Sequence, residues 1–365
     1  MTHSPNNTPK HVMMMAAGTG GHVFPALAVA KKLQQDGCQV SWLATPSGME
    51  NRLLKEQNIA IYQIDIQGVR GNGIVRKLAA PFKILKATFS AMRYMKQLKI
   101  DAVAGFGGYV AGPGGLAARI LGIPILIHEQ NAVAGFTNTQ LSRIATTVCQ
   151  AFPNTFPTHD KIVTTGNPVR AEITAISPPS QRYQAREQAQ QVLNILIVGG
   201  SLGAQALNER LPEALKKLTV PINVFHQCGQ NHQEVTRARY QGASDSLNVE
   251  VEPFIQDMAK AYSEADLIIC RAGALTVTEV ATAGVAAVFV PLPIAVDDHQ
   301  TANAKFLANA GAAEICQQVE MTPAVLDELL GRLLHRQLLS EMASKARQQA
   351  QPNATQHVVD LIKKL

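Results

Sequence analysis

The chain has 365 residues, 46% of them apolar, which exceeds one ordinary core, suits two domains and excludes a disordered protein. A net charge of +6 points to anionic partners and leaves nucleic acid, acidic ligands and anionic lipid all open. Five widely spaced cysteines (Cys38, Cys149, Cys228, Cys270, Cys316) make no CxxC and no zinc-type cluster, so buried thiols in a reducing cytoplasm are expected.

The first apolar run, Val12–Ala16, follows Lys10 but is too short for an export signal and ends in a glycine turn. With Val40–Ala44, Ile59–Ile64, Ala102–Ala104 and Ile125–Ile127 it reads as a strand. The helix-prone stretches between these runs give the alternation of parallel βαβ units. The turn after the first strand, Ala17–Gly18–Thr19–Gly20–Gly21–His22, lets backbone pass tightly into a helix and turns N–H groups toward an anion. It is not a dinucleotide fingerprint: the third glycine would fall at Val23, and the acid about 20 residues on is missing. No Walker A sequence occurs. His22, beside those amides, is a candidate base, since a helix N-terminus favours a neutral imidazole.

From Ile66 to Ile100 there is no acid, yet there are eight cations: Arg70, Arg76, Lys77, Lys83, Lys86, Arg93, Lys96 and Lys99. Apolar Ile74, Val75, Leu78 and Phe82 interleave with Arg76, Lys77 and Lys83, as a surface against anionic lipid requires. The competing reading is a core stripe, because Leu78, Phe82, Leu85, Phe89 and Met92 recur at helical spacing. The longest uncharged stretches, Ala102–Ala118 and Val280–Val296, are broken by Gly and Pro and fall short of the roughly 20 apolar residues a membrane span needs. The segment Gly105–Gly115 is glycine-dense, either mobile or shaped around something that comes close. The strand Ile125–Ile127 runs into His128–Glu129–Gln130–Asn131, four polar residues that need partners and either cap a loop or form a ligand-facing cluster.

After a connection around Asn167–Pro168 and Ser177–Ser180 the pattern restarts. Asn194–Val198 leads through Gly199–Gly200–Ser201 into a helix at Ala204–Lys217, and Val224–His226, Leu267–Cys270 and Ala287–Val290 continue as strands. Arg271–Glu279 is again strand, glycine turn and helix, suited to a diphosphate. Glu279 reads either as a ribose-binding carboxylate or as the far end of a Thr276-x-x-Glu279 capping box. Asp297 and Asp298 read as loop residues, since no Asp-x-Asp metal motif occurs in the chain. From Pro323 the composition is helical. The fold class expected is α/β, two Rossmann-like doubly wound domains facing a cleft. The expected boundaries are 10–168, with a returning helix 345–365, and 169–344.

In order along the chain, GTGGHVFPALAVA, FGGYVAGPGG, HEQN, TGNPVR, GGSLGAQALN, PFI-Q-DM, RAGALTVTE and the D-x-Q-x-x-N run around Asp298 and Asn303 resemble the MurG family of N-acetylglucosaminyltransferases. The resemblance runs from about Val12 to Ala313. It implies the GT-B architecture and inverting transfer from UDP-N-acetylglucosamine to the 4-hydroxyl of the muramyl sugar on undecaprenyl pyrophosphate, converting lipid I to lipid II. It implies donor contacts by Thr19, Gly20, Gly21, Asn131, Arg170, Ser201, Ile255, Ala274, Leu275, Thr276, Val277, Thr278, Glu279 and Gln300. Among these, Ile255 would hold uracil through its backbone, Glu279 the ribose, Thr276 and Ser201 the phosphates, and Gln300 the sugar. His22, Glu129 and Asn131 would be catalytic, and Tyr109, His128 and Asn138 would shape the acceptor side with His22. Ala17 and His299 depart from the family's usual glycine and basic residue without removing a functional group relied on here.

No metal or other cofactor is expected, because a helix N-terminus can receive the departing UDP. The implied partners are UDP-N-acetylglucosamine, lipid I and an anionic membrane surface at the cytoplasmic face, held peripherally through Ile74, Arg76, Lys77, Leu78, Phe82 and Lys83. Nucleic acid is not expected. The alternatives are a UDP-sugar epimerase or a GT-B transferase with another acceptor; a nicotinamide dehydrogenase and an exported binding protein fit less well.

Overall fold

In a computed structural model, which describes residues 10–66, 74–200, 202–293 and 298–365 (74–80 by backbone alone), the chain divides into two units. One runs to Val169 and takes in Asn353–Leu365; the other is Arg170–Pro352. Ser201, Arg70, Asp297 and the side chains of Ile74, Val75, Arg76, Lys77 and Leu78 lie outside the described residues.

The first unit is a seven-stranded parallel sheet of β1 (His11–Ala16), β2 (Gln39–Ala44), β3 (Ala60–Gln63), β4 (Ala102–Gly107), β5 (Ile125–Glu129), β6 (Thr147–Gln150) and β7 (Ile162–Thr164). Its strand order is β3-β2-β1-β4-β5-β6-β7. β1 is buried along its whole length, as a strand covered on both faces must be. Its alternate residues feed two cores. Val12, Met14 and Ala16 pack with Val29 and Leu33 of helix Gly20–Gln35, whereas Met13 and Met15 pack with Ala87, Ala91 and Met95 of helix Ile74–Leu98. Helices on both faces make the unit doubly wound.

The last helix, Ala354–Lys363, buries Val358, Val359 and Ile362 in the first of those cores, and Lys363 pairs with Asp36 at 2.5 Å. Three buried aliphatic side chains contribute roughly 1.5–3 kcal/mol each. The chain returns to the first unit only from Asn353. Lys345–Gln348 instead complete helix Arg336–Gln348, which puts Leu339, Met342 and Ala343 into the core of the second unit.

The second unit repeats the plan with β8 (Leu193–Val198), β9 (Ile222–Gln227), β10 (Leu247–Glu252), β11 (Leu267–Cys270), β12 (Ala286–Phe289) and β13 (Ala313–Ile315). These are parallel in the order β10-β9-β8-β11-β12-β13. In both units the winding reverses between the first and fourth strands, the place where an open sheet of this kind binds ligands at its carboxyl ends. The turns after β1, β4, β8 and β11 are the glycine motifs singled out in the sequence.

Candidate active site

In the first unit β1 and β4 end side by side, with Ala16 opposite Gly107. A Cβ on Gly108 (φ +79°) would stand 2.1 Å from the Ala17 carbonyl oxygen, and one on Gly107 (φ +104°) would stand 2.9 Å from Nδ1 of His22. The glycine-dense loop is therefore shaped around the chain's own first turn and the His22 ring. His22 lies in the first turn of helix Gly20–Gln35 and is partly exposed. Its Nδ1 is 2.9 Å from Oε1 of Gln130. Gln130 Nε2 in turn lies 3.0 Å from the His128 carbonyl oxygen and 3.2 Å from His128 Nδ1, and His128 Nε2 lies 2.9 Å from the Gly166 carbonyl oxygen. His128 is fully buried, stacked on Phe106 with centroids 5.2 Å apart, and burial pushes it down to about 4, so it is neutral at physiological pH.

Glu129, also buried, has all its acceptor capacity turned to the following loop. Oε1 accepts from the Asn131 backbone N–H at 3.0 Å and from Asn131 Nδ2 at 3.2 Å, and Oε2 accepts from the Gly135 N–H at 3.1 Å and from Asn138 Nδ2 at 2.8 Å. Asn138 Nδ2 also reaches the His128 carbonyl, while its Oδ1 is buried without a hydrogen-bond partner among the described residues. Thus His22, His128, Glu129, Asn131 and Asn138 form one connected cluster at the end of β5. Tyr109 is exposed beside it in sequence, directly after Gly108. Thr19 caps helix Gly20–Gln35 through its backbone and makes no side-chain cap.

In the second unit helix Ala274–Ala283 starts from Gly273, which cannot cap with a side chain, so its first N–H groups have no side-chain acceptor. Leu275 and Thr276 are half-buried at this end, whereas Ala274, Val277 and Thr278 are buried. Of these last three only Ala274 keeps a backbone N–H outside the helical ladder, because the Val277 N–H donates to the Gly273 carbonyl at 2.9 Å and Thr278 lies one residue further into the helix. The capping box is not formed, because Thr276 is the third helical residue rather than the N-cap. Glu279 instead accepts from Arg170 Nη2 at 3.0 Å on Oε1 and from Tyr262 Oη at 3.1 Å on Oε2. Burial pushes this carboxyl above its ordinary range, and the Arg170 charge with both hydrogen bonds draws it back. A carboxylate offers about four lone-pair positions, so two remain. Ile255 is buried, with neither its N–H nor its C=O hydrogen-bonded among the described residues. Gln300 accepts from the Leu292 N–H at 3.0 Å through Oε1 and is half-buried. Among the described residues no group of three or more His, Cys, Asp or Glu is placed to hold a metal ion.

Helix Ile74–Leu98 turns small residues, Ala87 and Ala91, to the sheet and leaves Phe82 (77%), Leu85 (53%) and Phe89 (61%) exposed. The stripe at helical spacing is therefore not a core stripe over these residues. Lys83, Lys86 and Arg93 are exposed on the same helix, and Leu116 and Ile120 of the adjoining helix Ala111–Leu121 are exposed as well. No helix among the described residues is long and apolar enough to cross a membrane.

Two residues of these clusters were not anticipated from sequence. Gln130 carried a signal, as the third of four polar residues ending a strand. Tyr262, inside an ordinary helix, carried none.

The glycosyltransferase family 28 N-terminal domain matches residues 12–150 and the family's C-terminal domain matches residues 194–360. The chain is 80% identical, over the whole of both sequences, to the UDP-N-acetylglucosamine–N-acetylmuramyl-(pentapeptide) pyrophosphoryl-undecaprenol N-acetylglucosamine transferase of Acinetobacter baumannii. A crystal structure of A. baumannii MurG superposes with a TM-score of 0.88 at 78% identity, covering 98% of this chain and all of the other. The UDP-GlcNAc 2-epimerase of Neisseria meningitidis shares the fold at 16% identity and a TM-score of 0.66, with 97% and 100% of the chains covered, so fold alone does not separate transferase from epimerase. Identity at the level of the first two does: the chain is a glycosyltransferase of family 28 and belongs to its MurG family.

Proposed function

We propose that the chain transfers N-acetylglucosamine from UDP-N-acetylglucosamine, with inversion, to the 4-hydroxyl of the muramyl-pentapeptide sugar on undecaprenyl pyrophosphate. This reaction converts lipid I to lipid II in peptidoglycan synthesis. The observation that carries it is the 80% identity, over full length, to relatives of that name. In a single displacement the acceptor oxygen attacks the anomeric carbon, its proton passes to His22, and the bond to UDP breaks. Glu129 is assigned to holding the loop of Asn131 and Asn138, because its lone pairs are already engaged. The leaving diphosphate is received by the N-terminus of helix Ala274–Ala283, with Thr276 and Ser201 on the phosphates, a role that needs no metal. Glu279 takes the ribose, the Ile255 backbone the uracil and Gln300 the sugar. The test is UDP release from UDP-N-acetylglucosamine in EDTA. Release that requires a lipid-linked muramyl acceptor supports this reading. Release without acceptor, or loss of activity restored only by a divalent metal, opposes it.

The same reading places the protein peripherally on the cytoplasmic face of an anionic membrane, with Phe82, Leu85 and Phe89 at the lipid and Lys83, Lys86 and the neighbouring cations at its phosphates. Each cation near such a surface contributes about 1 kcal/mol, so three or four give reversible binding. Nucleic acid has no part in this reading.

A further inference from the structure

We propose that Gln130 fixes the tautomer of His22, holding its proton on Nδ1 and presenting Nε2 as the free lone pair. The catalytic meaning of this rests on the reading of His22 as the base; the tautomer assignment does not.

Atoms that can only accept fix the proton positions along this chain of contacts. The Gly166 carbonyl oxygen only accepts, so His128 Nε2, 2.9 Å away, carries the proton. His128 is buried and neutral, so its Nδ1 is then an acceptor. The His128 carbonyl oxygen is also only an acceptor. Both of these atoms face the same end of the Gln130 side chain, at 3.2 and 3.0 Å. That end must be the amide nitrogen, with its two hydrogens. Reversing the carboxamide would set its oxygen against two acceptors in a site from which water is excluded, since Gln130 is 1% exposed. Oε1 therefore faces His22, and at 2.9 Å from Nδ1 it can only accept. His22 must donate from Nδ1.

The ring itself has little room to turn away, because Gly107 lies against it so closely that a Cβ there would meet Nδ1 at 2.9 Å and Cε1 at 3.0 Å. Gln130 is anchored in turn, its carbonyl accepting from Asn167 Nδ2 at 3.0 Å. The other His22 nitrogen, Nε2, has no hydrogen-bond partner among the described residues. In a neutral imidazole the hydrogen bond at one nitrogen decides the state of the other, so Gln130 leaves Nε2 ready to take a proton. Gln130 is thus a positioning residue that acts through His22.

The test uses the full-length protein labelled with 15N-histidine. Long-range 1H–15N correlation distinguishes protonated from unprotonated ring nitrogens, and His22→Gln identifies the His22 signals among the ten histidines. The expected wild-type spectrum has neutral His22 protonated at Nδ1 and bare at Nε2. In Gln130→Met the protonated nitrogen shifts toward Nε2. Turnover with the lipid-linked acceptor should fall by about 10–10²-fold, less than the ~10²–10⁴-fold for removing a general base outright, with UDP affinity within about twofold of wild type. A wild-type His22 protonated at Nε2 overturns the proposal without any variant. So does a Gln130→Met protein with the wild-type tautomer. If His22 carries its proton on Nδ1 as expected but His22→Ala turns over normally, the base reading fails while the tautomer assignment stands.

Discussion

Replacing Glu279 with Gln separates a ribose-binding role from a purely structural one. The wild-type carboxylate is held by Arg170 at 3.0 Å and Tyr262 at 3.1 Å, with its side chain 8% exposed and that of Arg170 44% exposed. In the variant the amide oxygen stays on Arg170. The nitrogen turns to Tyr262, whose buried hydroxyl can accept from it only by giving up the carboxylate as acceptor for its own hydrogen. Folding then loses about 1–3 kcal/mol for the unpaired Tyr262 hydroxyl, whereas solvent screening keeps the loss at Arg170 small. Binding of a ribose diol is affected independently, because its two hydroxyls donate to a carboxylate but an amide offers one acceptor and one competing donor. The cost to binding is about 1–3 kcal/mol, or roughly 5–150-fold in Kd. Titration calorimetry with UDP and with UDP-N-acetylglucosamine, beside a thermal melt, reads both effects. A variant with unchanged UDP affinity and a melting temperature several degrees lower would show that Glu279 serves only to join Arg170 and Tyr262, and would refute the ribose assignment.

His22→Ala should lower kcat by about 10²–10⁴-fold with UDP affinity retained, and near-normal turnover would move the proton acceptor elsewhere. Co-sedimentation with liposomes should need anionic lipid, weaken at high salt and fall sharply in Phe82→Ser/Phe89→Ser; binding indifferent to lipid charge would remove the membrane assignment. Stability should also depend on pH through two buried histidines, His128 and His226, each pushed down to about 4 by burial. Unfolded, each takes up a proton below about 6.5, whereas the native state does not until about 4, so stability falls as pH drops through that window. At pH 5 the loss is about 2 kcal/mol per histidine. Denaturant unfolding at pH 7.5 and pH 5 should therefore show a smaller pH-dependent loss in His226→Gln, by about that amount, and an equal loss would contradict the burial argument.

The architecture was largely legible because β1, β5, β8 and β11 are strands covered on both faces, which need long apolar runs. β10 has no apolar run: Leu247–Glu252 alternates apolar residues with Asn248, Glu250 and Glu252, the pattern of a strand with one face exposed, and a search for apolar runs passes over it. β6, β7 and β13 are too short for periodicity to register. The stripe of helix Ile74–Leu98 left a lipid-facing and a core reading open because spacing identifies a face but not its neighbour: Ala87 and Ala91 allow close packing on the sheet and leave the large residues outside. At the site, glycine turns and the polar end of β5 could be read locally. The link from His22 to Gln130 could not, because it joins residues 108 apart in the chain. For the same reason Glu279 stood open between a ribose ligand and a helix cap, since its partners Arg170 and Tyr262 lie elsewhere in the chain.

The central claim is tested most directly by the product itself. The protein, UDP-N-acetylglucosamine and a lipid-linked muramyl-pentapeptide acceptor are incubated in EDTA, and the new glycosidic bond is read by NMR against UDP formed. The expected result is one UDP per sugar transferred and a β linkage to the muramyl 4-hydroxyl. An α linkage, attachment at another hydroxyl, or an epimerised UDP-sugar in place of transfer would contradict it.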